Sequence, residues 1–402
     1  MPLFHSSQRF ALLPVLFFLA LDPLAANLLF GQSQAEEVPS ATEIRVLDPG
    51  WWPTKSSGKR AEYAGSAACQ ACHREISQRQ QNTPMAHALT QAGPSAFEEL
   101  AAGAVHFSIA PYQYELSRTP AGAVFSVTDG SQSISAPAAW IFGNGQFGQT
   151  YILQQGGSFF ESRLSYYRQI HGLDFTTGNP RAVPGSLATA LGRRLLSNEL
   201  PLCFGCHSTA ATTDGHFDPA HLVAGVSCEA CHGPGAQHVA AMNLAQGASS
   251  STFILNPARL GPVASVDYCG ACHRTAVDVS LMKLSGILTL RFPAYRLERS
   301  RCWGSGDARL TCSACHDPHQ SLVRDPGSYD RNCLACHAER GGPDAAHRPS
   351  VRVARGRSGR LCPVAQKNCV SCHMPQYTIP EMHTTFTDHK IAVHRSGAPF
   401  TE

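Results

Sequence analysis

The sequence predicts a mainly α-helical and irregular fold whose core is filled by bound groups, broken by a β-rich segment near residues 104–165. Three observations lead there. The pentapeptide Cys-x-x-Cys-His occurs seven times in 402 residues and takes up 14 of the 16 cysteines. Six copies fall between Cys203 and His373, roughly 29 residues apiece, and a segment that short cannot bury a hydrophobic core of its own. From Ala104 to Leu164, by contrast, short aromatic and β-branched runs alternate with turn residues.

Composition excludes several classes. Only 15% of residues are charged, and the chain has 34 glycines and 27 prolines, which argues against long solvated helices and coiled coils. An apolar fraction of 43% is that of a globular chain rather than a disordered or multi-pass membrane one. The formal net charge of +3 is too mild to point to nucleic acid.

In chain order, residues 1–35 read as a signal peptide. Arg9 stands without an acid before the apolar run Phe10–Ala20, and a second apolar patch ends at Phe30. Ser33-Gln34-Ala35, followed by Glu36 and Glu37, marks the expected cleavage point after Ala35. Asp22 and Pro23 interrupt the run short of the roughly 20 residues a span needs, so no membrane span is expected in the mature chain. The mature protein is thus expected to be periplasmic or otherwise exported. There thiols oxidise, so paired cysteines need another covalent fate. The remaining sequence divides into an N-terminal leader and first motif (36–103), a β-rich segment and connection (104–200) and a six-motif domain (201–402).

The motifs are Cys69, Cys72 and His73; Cys203, Cys206 and His207; Cys228, Cys231 and His232; Cys269, Cys272 and His273; Cys312, Cys315 and His316; Cys333, Cys336 and His337; and Cys369, Cys372 and His373. Two thiols three positions apart can add to the two vinyl groups on one edge of a porphyrin, and the following histidine can swing beneath the ring to ligate iron. Zinc knuckles share Cys-x-x-Cys, but zinc does not require a histidine directly after the second cysteine, and all seven pairs have one. A thioredoxin-like pair would need a βαβ context that the sequence lacks. The expected cofactors are seven covalently bound haem c groups, and these supply the haem-packed core.

Between the first and second motifs, Val-His-Phe-Ser-Ile, Tyr-Gln-Tyr-Glu-Leu, Ala-Val-Phe-Ser-Val and the runs up to Leu164 predict four or five antiparallel strands joined as hairpins. The string Gly143-Asn144-Gly145-Gln146-Phe147-Gly148 lacks a lysine and a following helix and reads as a turn. Residues 36–62, rich in proline and tryptophan, read as an extended leader. Arg352, Arg355, Arg357 and Arg360 lie in a glycine-containing stretch that reads as a solvated loop.

Eleven further histidines could fill sixth iron positions. His319 lies three residues past His316, too near to cap the same iron from the opposite face but well placed for a neighbouring one. His238 follows His232 by six residues and His87 follows His73 by fourteen. His383, His389 and His394 cluster near the C-terminus at spacings that suit different irons. These six are the expected distal ligands. His171, His216, His221 and His347 compete for the rest, and His106 in a strand reads as structural. Met85 and Met374 sit near motifs and are alternative axial ligands. Cys302 and Cys362 are left over and are candidates for one disulfide.

The strings Tyr63–His73 with Thr83–Leu89, Gly225–His238, Ser300–His319, and Cys369–Pro375 with Phe386–Ile391 together resemble multihaem cytochromes c of the cytochrome c-554 type, including exported forms often joined to tetratricopeptide repeats. The resemblance spans roughly residues 63–395. It implies that His87, His238, His319 and the C-terminal histidines serve as distal ligands. These 402 residues contain no such repeats and carry more attachment motifs than the four of the type protein, so the axial pairs cannot be copied across.

The expected function is electron transfer between redox partner proteins, quinol-linked or other cytochromes, through closely spaced and mostly bis-histidine haems. The alternative is a multihaem oxidoreductase with one open haem acting on a small nitrogen or sulfur compound such as nitrite or hydroxylamine, with Tyr166, Tyr167, Arg168 and His171 as proton-handling candidates. A third reading is a subunit of an extracellular wire or membrane complex. No nucleic acid is implied, and the oligomeric state is left open.

Overall fold

Alternating apolar and polar residues between Leu89 and Arg194 build the largest element of the fold, a nine-stranded antiparallel sheet. The computed structural model describes residues 42–45, 59–97, 104–244, 253–303, 310–337, 362–395 and 397–402, all within the unit Val38–Glu402. The signal segment, most of the leader, His347 and the arginines at 352–360 lie outside these residues.

The strands are β1 (Leu89–Gln91), β2 (Ala104–Ile109), β3 (Tyr112–Thr119), β4 (Gly122–Thr128), β5 (Ser133–Phe142), β6 (Gly148–Gln155), β7 (Ser158–Tyr167), β8 (Gly172–Phe175) and β9 (Gly192–Arg194). From β2 to β8 they lie side by side in chain order. The ten-residue β5 pairs with β4 through its first half and with β1 through Trp140–Phe142. Likewise β7 pairs with β9 near its start and with β8 near its end. Phe107 of β2 meets Phe175 of β8 edge-on at 5.6 Å, so the two ends of the sheet curl towards each other. Tyr114, Leu116, Phe125, Ile141, Tyr151, Leu153 and Leu164 are almost fully buried in a continuous core.

This overturns the mainly helical expectation. Of the described residues, 36% are helical and 25% lie in strands. The predicted β-rich segment is real but too short, because β1, β8 and β9 extend the sheet at both ends. It also buries its own aliphatic and aromatic core instead of relying on bound groups. The helices stay short for a physical reason: an attachment pentapeptide needs one helical turn to bring its cysteines to one face. The longest described helix, Pro262–His273, has 12 residues.

A second apolar cluster ties the sheet to the attachment region. Leu89, Ile152 and Leu195 pack with Phe204, and Trp140, Phe142, Phe159 and Cys203 close around them. The sheet therefore serves as a wall against which the second motif is fixed.

Candidate functional site

Each attachment motif lies on a helical turn that delivers its histidine. The turns are Ser66–Cys72, Leu200–His207, Cys228–His232, Pro262–His273, the 3-10 turn Cys312–Ala314, Asp330–His337 and Cys369–His373. Where the turn stops short of the histidine, the backbone still holds it: the His73 N–H donates to Cys69 O at 2.8 Å and the His316 N–H to Cys312 O at 3.0 Å.

The orientation of the imidazoles tests whether these residues suit iron. His207 Nδ1 lies 3.0 Å from Ala88 O, His232 Nδ1 2.7 Å from Leu255 O, and His373 Nδ1 2.9 Å from Ala392 O. A carbonyl only accepts, so in each case Nδ1 carries the proton and Nε2 keeps its lone pair. Metal-ligating histidines are held in this way. Burial lowers the basicity of His207, His232, His273 and His316, which keeps them neutral and able to donate to a metal. The residues present thus fit haem.

Two pairs of imidazoles lie near each other, the second tilted by 49°. The rings of His232 and His319 are 6.1 Å apart with their planes 9° from parallel, and those of His316 and His389 are 6.2 Å apart. Two metal–nitrogen bonds of about 2 Å, plus about 1 Å from each nitrogen to its ring centre, sum to about 6 Å. His319 thus stands opposite the histidine of the third motif, not opposite its own neighbour His316. Its Nδ1 is 3.1 Å from Asp317, and His389 Nδ1 is 3.1 Å from Thr387 O, so both leave Nε2 uncommitted. Burial drives His389 down to about 4.

Other predicted ligands are placed differently. His383 sets Nε2 2.9 Å from Asp174, whose carboxylate also takes a bidentate pair from Arg181, and its ring is 5.0 Å from Tyr167. His394 turns Nε2 towards Lys390 O at 3.4 Å. His87 is exposed, and His238 lies in the helix Ala236–Asn243 close to His232. His106 faces Glu115 across the β2–β3 ladder. Tyr167 donates to Phe175 O at 2.9 Å within the sheet, and His171 occupies a left-handed turn.

The motifs touch in an order that differs from their order in the chain. Glu229, inside the third motif, accepts the backbone N–H groups of Ala64 at 2.7 Å and Gly65 at 2.9 Å, at the foot of the first motif's helix. The Cys69 and Cys228 thiols share a hydrogen bond, which pulls Cys228 down to about 6 and pushes Cys69 up. The Cys206 thiol of the second motif lies 3.7 Å from Ala271 O of the fourth and contacts Cys272. Tyr268, on the fourth motif's helix, donates to Cys231 O of the third. Cys312 of the fifth packs with Val266, Ala294 and Trp303 and touches Cys269. Tyr329, the last residue of the 3-10 turn Pro326–Tyr329 just before the sixth motif's helix, meets His316 at 5.6 Å. Asp330 accepts from Asn368 N at 2.7 Å and Cys369 N at 2.8 Å, joining the sixth motif to the seventh. Sequence reasoning missed Glu229, Tyr268 and Asp330. Each stands at a position that the motif leaves variable or outside it, so no local pattern marks them.

Comparison with known proteins adds to this picture. A family profile described as "Cytochrome c554 and c-prime" matches residues 183–233, which hold the second and third motifs. The multiheme cytochrome MtrA of Shewanella baltica (strain OS185) is 25% identical over 178 residues, 35% of this chain and 53% of the relative, so the chain spans about half the length of that protein. The family match and this relative support a multihaem c-type cytochrome. Among solved structures, the outer cell wall cytochrome OcwA matches with a TM-score of 0.44 at 16% identity, over 82% of this chain and 79% of that one.

Proposed function

We propose that the chain is an exported heptahaem c-type cytochrome that passes electrons between redox partners, other cytochromes or quinol-linked proteins. Haem c, when bound, supplies a one-electron iron couple. The observation that carries the reading is the unbroken contact of attachment motifs: the first meets the third, the third the fourth, the fourth the fifth, the fifth the sixth and the sixth the seventh. A relay needs neighbouring redox groups, and here the segments that carry their anchors touch.

Within this reading the fourteen motif cysteines hold the rings and the seven motif histidines are proximal ligands. His319 is the distal partner of His232, and His389 that of His316. The peptide carbonyls of Ala88, Leu255 and Ala392 fix the proton of three proximal histidines on Nδ1. Residues 104–200 form a supporting wall, and 201–402 the main haem-bearing region. Export rests on residues 1–35. Among the described residues no helix is long and apolar enough to cross a membrane.

Mass spectrometry of protein matured with the haem-attachment machinery tests the count: seven prosthetic groups beyond the processed polypeptide are expected. A bare-chain mass, or chain plus zinc, overturns the reading. Low-temperature electron paramagnetic resonance of the ferric protein tests the role. Seven low-spin irons fit a relay, and a high-spin iron that shifts with nitrite or hydroxylamine fits an enzyme.

A further inference from the structure

The strongest unexplained feature outside the motifs is a fully buried ion pair. Arg296, in the helix Pro293–Glu298, has no exposed surface, and Asp388 has 1%. Arg296 Nε donates to Asp388 Oδ1 at 2.8 Å and one Nη to Oδ2 at 2.7 Å, with a further bond to Thr401 O at 2.8 Å. The guanidinium lies over the Phe400 ring at 4.6 Å. Burying such a pair gains little stability over packed apolar side chains. Its position is more informative, because Asp388 immediately precedes His389.

The same segment grips the other side of that histidine. Ser300, one turn beyond Arg296, donates its hydroxyl to His389 O at 3.0 Å and accepts the Ile391 N–H at 2.8 Å. Asp388 Oδ1 also accepts the Lys390 N–H at 2.9 Å. The backbone from Asp388 to Ile391 is therefore pinned at both ends by residues 296 and 300. The His389 ring has Nδ1 on Thr387 O and projects towards His316. Neither Asp388 nor Arg296 has a hydrogen bond to the imidazole. Asp388 also acts on the ring through its charge, while Arg296 and Ser300 act on it through the backbone.

We propose that Arg296, Asp388 and Ser300 are positioning residues that hold His389 at ligating distance opposite His316. The inference rests on the reading of His389 as the distal ligand of the fifth motif's haem. It also explains why the helix Pro293–Glu298, which packs on the fourth motif's helix through Ala294 and Val266, carries a charge into the interior.

The test uses the fully matured protein. His389→Ala sets the reference: one low-spin iron becomes high-spin in the ferric spectrum, and one iron of the reduced protein binds carbon monoxide. Asp388→Asn and Ser300→Ala are expected to give the same high-spin signal and carbon monoxide binding at a fraction of one iron, and Arg296→Lys less than Asp388→Asn. Ser300→Ala removes only two hydrogen bonds of a buried but uncharged hydroxyl and keeps the test open if the ion-pair variants do not fold. If Asp388→Asn and Ser300→Ala lower the unfolding temperature but leave every low-spin signal unchanged, their role is structural only and the proposal falls. If His389→Ala itself produces no high-spin iron, the ligand reading beneath it fails.

Discussion

At the scale of single residues, polar groups inside this chain are placed by what must be satisfied around the attachment motifs. Glu229 is 3% exposed and accepts three backbone N–H groups, those of Ala64, Gly65 and Gly235. Replacing it with alanine strands three donors, so Glu229→Ala is expected to destabilise the holoprotein by about 3 kcal/mol, and Glu229→Gln by about half as much because one acceptor oxygen remains. Equal losses of thermal stability for the two variants would refute this. The motif cysteines and histidines were legible in the sequence because three fixed positions within five residues recur seven times. Glu229 was not, since it occupies a position that the motif leaves variable. His319 was partly legible, because its spacing from His316 excluded a role on the same iron. His383 was not: its partner Asp174 lies 209 residues away in the chain, and no local pattern announces such a pair.

Among elements, the seams between motifs set the demands. Gly225, just before the third motif, has φ +77°, and a Cβ there would overlap Ala86 O in the stretch that follows the first motif. The neighbouring bonds, Val226 N to Met85 O at 2.9 Å and Gln80 Nε2 to Val226 O at 2.6 Å, hold the same seam closed. Gly130, at φ +89° in an open turn, has no such neighbour. Gly130→Ala should therefore cost about 1 kcal/mol for the left-handed backbone alone, and Gly225→Ala clearly more, on the order of 3 kcal/mol. Chemical unfolding of the two holoproteins compares them, and similar losses would mean the seam does not matter. The seam between the last two motifs depends on pH. The N–H groups of Cys369 and Asn368 hold the Asp330 carboxylate below its usual range. A carboxylate depressed in the fold contributes stability above its unfolded pKa, near 4, and loses it as pH falls through the folded value. The junction is thus firm at neutral pH and loosens only in acid. Hydrogen exchange at Asn368 and Cys369 should accelerate below about pH 4 beyond the intrinsic trend, and Asp330→Ala should show fast exchange already at neutral pH. The strands around residues 104–165 were readable from their alternation. The three-residue β1 and β9 were not, because a run that short has no period and forms only where a longer strand offers a free edge.

For the whole molecule, the spatial order of the motifs was invisible in the sequence because the fold skips: the first motif pairs with the third and the second with the fourth. The sheet explains half of this. It pins the second motif by Phe204 in its apolar cluster and by the Phe142 ring stacked on His207 at 4.6 Å, so that motif stands aside from the direct line. The fourth motif then touches the second, third and fifth and becomes the junction of a branched row. That geometry has a kinetic consequence. With a photosensitiser attached to one cysteine introduced beside the first motif, repeated flashes in the complete holoprotein should reduce all seven irons. Losing the fourth haem through Cys269→Ala with Cys272→Ala should confine electrons to the first and third, so that absorbance stops rising after two equivalents. Losing the second haem through Cys203→Ala with Cys206→Ala should leave the other six reachable, because a side branch is not on the way to anything else. Unhindered filling without the fourth haem would mean that the contacts among anchors do not trace the path of the electrons.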